Sequence, residues 1–235
     1  MKSSHNCLDT PPSQLVLTRS SSATLPFPLL STARDPKITT ESIVRVGFFG
    51  GSFDPIHLGH LIAAQDALEQ LKLKKVVFLP TAQAPLRDNS VYATAEDRME
   101  MIRLAIGSDR RFEISDLEIA RGGISYTYET VAELQRQEPE IAPIWIIGED
   151  QITKLPRWHR IHELSEKVEF AWLQRPGHLS IEAPNIASLR LHPLRSHQIE
   201  ISSSEIRSRI REKRPLRFLL PDPVIAYINE RKLYE

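Results

Sequence analysis

Two histidines three positions apart, His57 and His60, follow a pair of glycines, Gly50 and Gly51, in the string Gly-Gly-Ser-Phe-Asp-Pro-Ile-His-Leu-Gly-His. Paired glycines allow the backbone to approach a ligand closely. A helix that begins after such a turn has free N–H groups, which form a site for an anion. Two imidazoles on one face of that helix start could each donate a hydrogen bond to a phosphate oxygen. The string therefore predicts phosphate binding. The alternatives are a glycine turn with two surface histidines, or a metal site, for which no third ligand stands at a suitable spacing.

A second candidate phosphate contact lies near the C-terminal end of the sequence. Ser202 and Glu205 have the spacing of a capping box, which begins a helix and exposes its first N–H groups. Arg207 follows one turn later and could bind phosphate through two parallel hydrogen bonds. The alternative is a well-capped helix without a ligand.

These residues must be positioned by the elements between them. Strands alternate with helices from Val44 onward, which predicts an α/β fold with a doubly wound parallel sheet. The continuous apolar run 144–148 is typical of a strand that is buried on both faces. Ligands of such sheets bind at the carboxyl ends of the strands, where the motifs fall. Strands are predicted at 44–49, 75–79, 112–115, 144–148 and 168–173, and helices after His57, from 94 onward and over 127–137.

The composition limits the class of protein. Of 235 residues, 41% are hydrophobic and 26% are charged, which is typical of a soluble globular protein. The 30 basic residues balance the 30 acidic ones, which argues against a broad basic face for nucleic acid. No apolar run approaches the roughly 20 residues of a membrane-spanning helix. The single cysteine, Cys7, excludes an internal disulfide and a Cys-rich zinc site.

Residues 1–43 differ from the remainder because serine, threonine and proline dominate them and no hydrophobic period is visible. We expect a disordered extension there, followed by a single domain over 44–235. A Ser-rich, acid-poor composition is also that of an organelle transit peptide, and a start codon placed too far upstream is a further explanation.

The histidine string resembles the His-x-Gly-His signature of the nucleotidyltransferase superfamily. Its version in nicotinate mononucleotide adenylyltransferases reads Gly-Gly-Thr-Phe-Asp-Pro-x-His-x-Gly-His, and here Ser52 replaces the threonine. Further segments over 44–235 resemble that family in the same order: Ser-Tyr-Thr within 124–130, Ile-Gly-x-Asp within 146–150, Leu-Pro-x-Trp at 155–158, Arg-Pro-Gly at 175–177, Ile-Ser-Ser-Thr-x-Ile-Arg at 201–207, and the ending at 220–234.

The resemblance implies roles for individual residues. His57 and His60 would be catalytic, holding the triphosphate of ATP and the transition state. The residues that would contact ATP with them are Gly50, Gly51, Ser52, Phe53, Arg87, Gly148, Asp150, Ser202, Ser203, Ser204 and Arg207. Those that would bind the pyridine substrate are Tyr126, Thr127, Trp158, His159 and Arg175. Local roles compete with three of these assignments: Asp150 and Thr127 could be helix caps only, and Trp158 could only pack in the core.

One segment departs from the family pattern. After the second strand the family has Pro-Pro-His-Lys, whereas this chain has Gln83-Ala84-Pro85-Leu86-Arg87. Arg87 keeps the positive charge and can bind phosphate bidentately. Leu86 cannot replace an imidazole.

The resemblance implies transfer of AMP from ATP to nicotinate mononucleotide, giving nicotinate adenine dinucleotide and pyrophosphate in NAD biosynthesis. Mg²⁺ would be carried by the ATP phosphates, because no carboxylate cage is apparent. We expect a cytoplasmic enzyme with no nucleic-acid or membrane partner, and no prediction of oligomeric state follows. The alternatives are an adenylyltransferase for nicotinamide mononucleotide or phosphopantetheine, a fragment of a class I aminoacyl-tRNA synthetase, and a non-catalytic nucleotide-binding module.

Overall fold

The computed structural model describes residues 43–85, 91–174, 182–197 and 199–235. Within them, six strands form one sheet in the order β3-β2-β1-β4-β5-β6, and every neighbouring pair is parallel. The strands are β1 (Val44–Gly51), β2 (Lys75–Pro80), β3 (Phe112–Ile114), β4 (Ile141–Gly148), β5 (Glu169–Gln174) and β6 (Leu191–Arg195). The predicted α/β fold with a doubly wound parallel sheet is confirmed.

Helices cover both faces of this sheet. They are α1 (Leu58–Gln70), α2 (Ala95–Ile106), α3 (Leu117–Arg121), α4 (Thr127–Gln137), α5 (Glu149–Ile152), α6 (Ile161–Lys167), α7 (Ser203–Arg211) and α8 (Asp222–Arg231), with a 3₁₀ turn at Leu155–Arg157. The helix predicted over 127–137 is α4, and the one predicted to begin near Thr94 is α2, whose first turn Thr94 caps.

The two faces hold separate hydrophobic clusters because successive strand residues point to opposite sides. Phe48 packs with α4 and α6 on one face, and Phe49 packs with α1, α2, α7 and α8 on the other. The central strands are buried on both sides, as the apolar runs predicted. All described residues belong to one compact unit, Thr40–Glu235. The predicted disorder of residues 1–43 concerns a stretch that, apart from residue 43, lies outside the described residues.

The chain order reverses between β1 and β4. From β1 the chain proceeds through β2 to β3, and it then crosses to β4 on the other side of β1 before continuing to β5 and β6. In doubly wound sheets the loops diverge at this point and leave a crevice above the carboxyl ends of the strands.

Sequence analysis did not predict β6. Its five residues are Leu-His-Pro-Leu-Arg, and Pro193 in the middle removes a donor that a central strand would need. The strand is tolerated because it pairs with β5 at the end of the strand order. In the part of the chain that the structure describes, no helix has the length and apolar character to cross a membrane.

Candidate active site

A cleft of about 1180 Å³ lies above the carboxyl ends of the strands, at the crevice between β1 and β4. It brings together most of the residues that were predicted to bind substrate. The predicted residues that line it are Gly50, Gly51, Ser52, His57, His60, Tyr126, Thr127, Gly148, Asp150, Trp158, His159, Ser202, Ser203, Ser204 and Arg207. Of the remaining three, Phe53 does not line the cleft, and Arg87 and Arg175 lie outside the described residues.

The two histidines stand at the start of α1, as the glycine string predicted. His57 is the residue that precedes the first turn, and His60 lies in that turn. Their rings stack with centroids 3.7 Å apart and 22° between their planes. The backbone N–H of His57 donates to Nδ1 of His60 over 3.3 Å. In a neutral His60 the proton is therefore on Nε2, which makes that atom a hydrogen-bond donor.

Both rings are neutral near pH 7 in the absence of a ligand. Burial lowers the pKa of His57 from 6.5 to about 4. Burial also lowers the pKa of His60 well below 6.5, and a positive charge on His57 would lower it further. Nδ1 of His57 is buried and has no hydrogen-bond partner among the described residues. A polyphosphate beside the rings would supply a negative charge that compensates a protonated ring.

Phe53 supports the histidines from below and does not face the cleft. Its side chain is 1% exposed, and its ring packs edge-on against His60 at 5.0 Å and against Phe49 at 5.7 Å. A Cβ on Gly51 would lie 3.1 Å from the same ring, so this position has little space for a side chain. The side chain of Phe53 is therefore not available to contact ATP, and only its backbone could do so.

A buried carboxylate holds the turn between β1 and α1. Asp54 accepts hydrogen bonds from the backbone N–H of Tyr92 (2.6 Å) and Ala93 (3.1 Å) and from the hydroxyl of Tyr234 (2.8 Å). The guanidinium of Arg98, 1% exposed, donates to the carbonyl of Ser52 over 2.9 Å. Sequence analysis assigned none of these supporting residues, because their partners lie 38 to 180 positions away along the chain.

The start of α7 is fastened to the same turn. Ser202 caps α7 by accepting from the N–H of Glu205 over 3.1 Å, as its sequence pattern predicted. The hydroxyl of Ser203 donates to the carbonyl of Pro55 over 2.9 Å. The hydroxyls of Ser202 and Ser203, which were predicted to bind phosphate, therefore have partners within the protein. The N–H groups of Ser203 and Ser204, the first two of α7, have no acceptor within the helix and remain suited to an anion.

Arg207 joins the two segments that were predicted to bind phosphate. One terminal nitrogen donates to the carbonyl of Asp54 over 2.7 Å, and the other donates to Ser204 Oγ over 3.2 Å. The guanidinium also lies 4.3 Å from the ring centroid of Tyr92. These contacts fix a positive charge at the wall of the cleft.

The end of β4 brings Gly148 close to the side chain of Asp150. A Cβ on Gly148 would lie 2.8 Å from Oδ1 of Asp150. Asp150 is exposed, and its Oδ2 accepts from Lys154 Nζ over 3.1 Å. Lys154 also lines the cleft, although sequence analysis did not assign it. The carboxylate and the ammonium group together form a polar wall that could contact a ribose.

Four of the predicted pyridine-binding residues line the cleft near the start of α4, and the fifth, Arg175, lies outside the described residues. Tyr126 precedes α4 and Thr127 is its first residue. The ring of Tyr126 lies 4.5 Å from that of His159, centroid to centroid. Trp158 is half-buried and packs edge-on against Phe170 at 6.0 Å, so it contributes to the core as well as to the cleft.

Glu118 is a further buried group at this end that sequence analysis missed. It is 2% exposed and lines the cleft, and its Oε1 accepts from the hydroxyl of Thr130 over 2.8 Å. Its Oε2 has no partner within the described ranges. Burial raises the pKa of this carboxyl, and the Thr130 hydrogen bond opposes the change. No sequence signal marked it, because a glutamate in a short amphipathic segment usually faces solvent.

Comparison with known proteins identifies the class of protein to which this fold and this cleft belong. Residues 48–209 match the sequence profile of the Cytidylyltransferase-like family, so the fold and the paired histidines define a nucleotidyltransferase-type class. A protein of Opitutus terrae is 45% identical over 191 residues, which cover 81% of this chain and 98% of that protein. One of Methylacidiphilum infernorum is 41% identical over 191 residues, with 81% and 92% covered. Both carry the name "Probable nicotinate-nucleotide adenylyltransferase". The chain belongs to the nicotinate-nucleotide adenylyltransferase family.

Solved structures share the fold. Nicotinic acid mononucleotide adenylyltransferase of Plasmodium falciparum, complexed with NaAD, superposes with a TM-score of 0.66 at 21% identity, covering 81% of this chain and 97% of that one. The same enzyme complexed with APC gives a TM-score of 0.65 with the same identity and coverage.

Proposed function

We propose that this chain transfers the adenylyl group of ATP to nicotinate mononucleotide, a step in the synthesis of NAD. A 5′-phosphate oxygen of the mononucleotide attacks the α-phosphorus of ATP. A new P–O bond forms there, the bond between the α-phosphorus and the bridging oxygen breaks, and pyrophosphate leaves with that oxygen. The observation that carries the proposal is the stacked His57–His60 pair, which shares one cleft with the start of α7.

The cleft residues supply donors for this reaction and need not supply a base. A phosphate monoester is already largely ionised near pH 7, so the attacking oxygen carries no proton to be removed. The neutral imidazoles, the N–H groups of α7 and Arg207 can stabilise the charge that develops on the phosphate oxygens. Catalysis then consists of positioning and charge stabilisation, as in phosphoryl transfer generally.

At the other end, the pyridine carboxylate would meet donors. Thr127 and the N–H groups of the first turn of α4 suit an anion. The backbone N–H of His159 is a further candidate, whereas that of Trp158 already donates to the carbonyl of Leu155. The aromatic rings there suit the pyridine. A site that offers mainly donors disfavours the NH₂ of an amide, which is why we propose the acid as the acceptor.

The cation belongs to the substrate in this proposal. Among the described residues, no group of three His, Cys, Asp or Glu side chains could hold a metal ion. Mg²⁺ bound to ATP would neutralise the charge on its phosphates. The roles of Arg87 and Arg175 and the cytoplasmic location remain predictions.

The decisive experiment measures pyrophosphate release from ATP with nicotinate mononucleotide and, separately, with nicotinamide mononucleotide. We expect kcat/KM to be about 10²-fold higher for the acid, since the amide leaves donors unpaired. Equal values, or a higher value for the amide, would overturn the choice of acceptor. No release with either acceptor would overturn adenylyl transfer to a pyridine mononucleotide.

The same assay tests the histidines. His57→Ala and His60→Ala should each lower kcat by about 10²-fold, the usual loss for one preorganised donor. Turnover close to that of the unaltered protein in both variants would show that the stacked pair is not catalytic.

A further inference from the structure

A further histidine, which neither the sequence analysis nor the proposed mechanism uses, is held by a buried carboxylate at the cleft. His197 lies two residues beyond β6 and lines the cleft, and its side chain is 73% exposed. Its Nδ1 lies 2.8 Å from Oδ1 of Asp66, and its backbone N–H donates to Oδ2 of the same residue over 3.0 Å. Asp66 lies on α1, and its side chain is only 6% exposed.

This pairing decides which ring nitrogen carries the proton. A carboxylate can only accept hydrogen bonds. Both oxygens of Asp66 face nitrogens of His197, so the hydrogen of the ring contact must lie on Nδ1. In the neutral imidazole, Nε2 then has a free lone pair and is a hydrogen-bond acceptor. A buried carboxylate thus fixes the tautomer of an exposed ring.

The position of His197 along the sheet indicates what it could contact. The ends of β4, β5 and β6 lie side by side, with Gly148 opposite Leu173 and Gln174 opposite Arg195. Tyr126 and Thr127 of the predicted pyridine site lie on the other side of β1, because the N–H of Ala82, beyond β2, donates to the hydroxyl of the neighbouring Ser125. The phosphate-facing histidines follow β1, between these two sides. The nucleotide base of ATP is therefore expected beside β5 and β6, where His197 stands.

We propose that His197 is a specificity-determining residue that reads the base of the nucleotide. Its Nε2 accepts a hydrogen bond from the exocyclic 6-amino group of adenine. The inference rests on the proposed function and adds to it the group that selects the nucleotide. A purine with a 6-oxo group presents an acceptor at that position and cannot form this bond.

The test compares ATP with purine riboside triphosphate, which differs only in lacking the 6-amino group, at pH 8, above the usual titration range of imidazoles. With nicotinate mononucleotide as acceptor, we expect kcat/KM to be about tenfold higher for ATP in the unaltered protein, the value of one hydrogen bond. His197→Ala should reduce that ratio to about one. The exposed ring can be removed without loss of the backbone bond to Asp66, so this variant should fold.

Asp66→Asn tests the role of the His197 tautomer, because it should move the ring proton from Nδ1 to Nε2. The backbone N–H of His197 still needs an oxygen, so the NH₂ of the new amide must face ring Nδ1. Nδ1 then becomes the acceptor, and Nε2 carries the proton as a donor. This variant should use ATP no better than purine riboside triphosphate, and its relative kcat/KM for inosine triphosphate should rise.

Gln70 supplies a matched control. It lies on the same helix and fastens the same segment through two hydrogen bonds with the backbone of Arg195, at 2.8 and 3.0 Å, but it does not line the cleft. Gln70→Ala should leave the nucleotide ratio unchanged. An unchanged ratio in His197→Ala, or a loss that is equal for all three nucleotides, would overturn base reading while adenylyl transfer stands. If the unaltered protein releases pyrophosphate from none of them, the proposed function itself fails.

Discussion

The protonation of His57 shows how strongly one residue depends on its surroundings. The side chain is 5% exposed, and its pKa in the folded chain is about 4, well below the ordinary 6.5. A buried imidazole is stable only as the neutral form, because a charge there would lose its hydration. The ligand-free candidate site therefore presents uncharged donors, and it would gain positive charge only beside a compensating anion.

This lowered pKa makes stability depend on pH. Below pH 6.5 the unfolded chain protonates His57 while the folded chain does not, so protons favour unfolding. The stabilisation is complete above pH 6.5 and is lost as the pH falls towards 4. The slope for one such group is at most about 1.4 kcal/mol per pH unit. His57→Gln should therefore lose less unfolding free energy between pH 7 and pH 5 than the unaltered protein, measured by urea denaturation. Equal losses in both proteins would contradict the lowered pKa.

Among the elements, the first turn of α1 must leave room for a histidine ring. A Cβ on Gly59 would lie 3.0 Å from Nδ1 and 3.1 Å from Cε1 of His57. Glycine is a poor helix former, so its presence in this turn is explained by the ring and not by helix stability. The first turn of α1 therefore leaves space for the ring of His57.

Gly59→Ala separates the requirement for helix stability from the requirement for space beside the ring of His57. Alanine favours the helix by up to about 1 kcal/mol, so the melting temperature should not fall. The displaced ring should lower kcat by about tenfold or more, since small misplacements of a catalytic group are costly. Gly107→Ala is the matched contrast, because Gly107 has φ +57° and no atom within 4 Å of the added Cβ. The Gly107→Ala variant should lose about 1–3 kcal/mol of unfolding free energy and keep the kcat of the unaltered protein.

A normal kcat in Gly59→Ala would show that space for the His57 ring does not explain the glycine at position 59.

For the molecule as a whole, the C-terminal end is part of the site's support. The hydroxyl of Tyr234 donates to the buried carboxylate of Asp54 over 2.8 Å, although the two residues are 180 positions apart. Burial raises the pKa of Tyr234, so the phenol keeps the proton that it donates. The last helix thus returns the chain to the turn that carries the histidines.

Tyr234→Phe should remove this bond and leave Asp54 with one donor fewer. The expected loss is about 1–3 kcal/mol of unfolding free energy, which is the cost of an unmet hydrogen bond to a buried group. Chemical denaturation measures it, and the decrease in kcat should be smaller than for the histidine variants. Unchanged stability would show that the Tyr234 hydroxyl does not support the turn.

The opposite end of the chain should contribute nothing to catalysis. Residues 1–43 have a composition that cannot bury a core, and the resemblance to the family begins at residue 44. A chain that starts at Ile43 should therefore keep the kcat and the melting temperature of the full chain. A marked fall in either quantity would show that the N-terminal segment has a structural role.

Much of the fold followed from local patterns. Alternating apolar strands and amphipathic helices predicted the parallel sheet, because the period of 2 or 3.6 residues reports which side of an element is buried. The candidate site could be located as well, since parallel strands bring their carboxyl ends to one edge. The strand β6 was missed because Pro193 and its short length hide the period.

Only the tertiary structure decided what each side chain does at that edge. It buries Phe53 against the ring of His60, and it pairs the hydroxyl of Ser203 with the carbonyl of Pro55. It also lowers the pKa values of His57 and His60 by burial. It also joins Asp66 to His197 across 131 positions. Sequence period reports the direction of a side chain relative to its own element. The partner that it meets depends on how distant elements pack, which no local pattern contains.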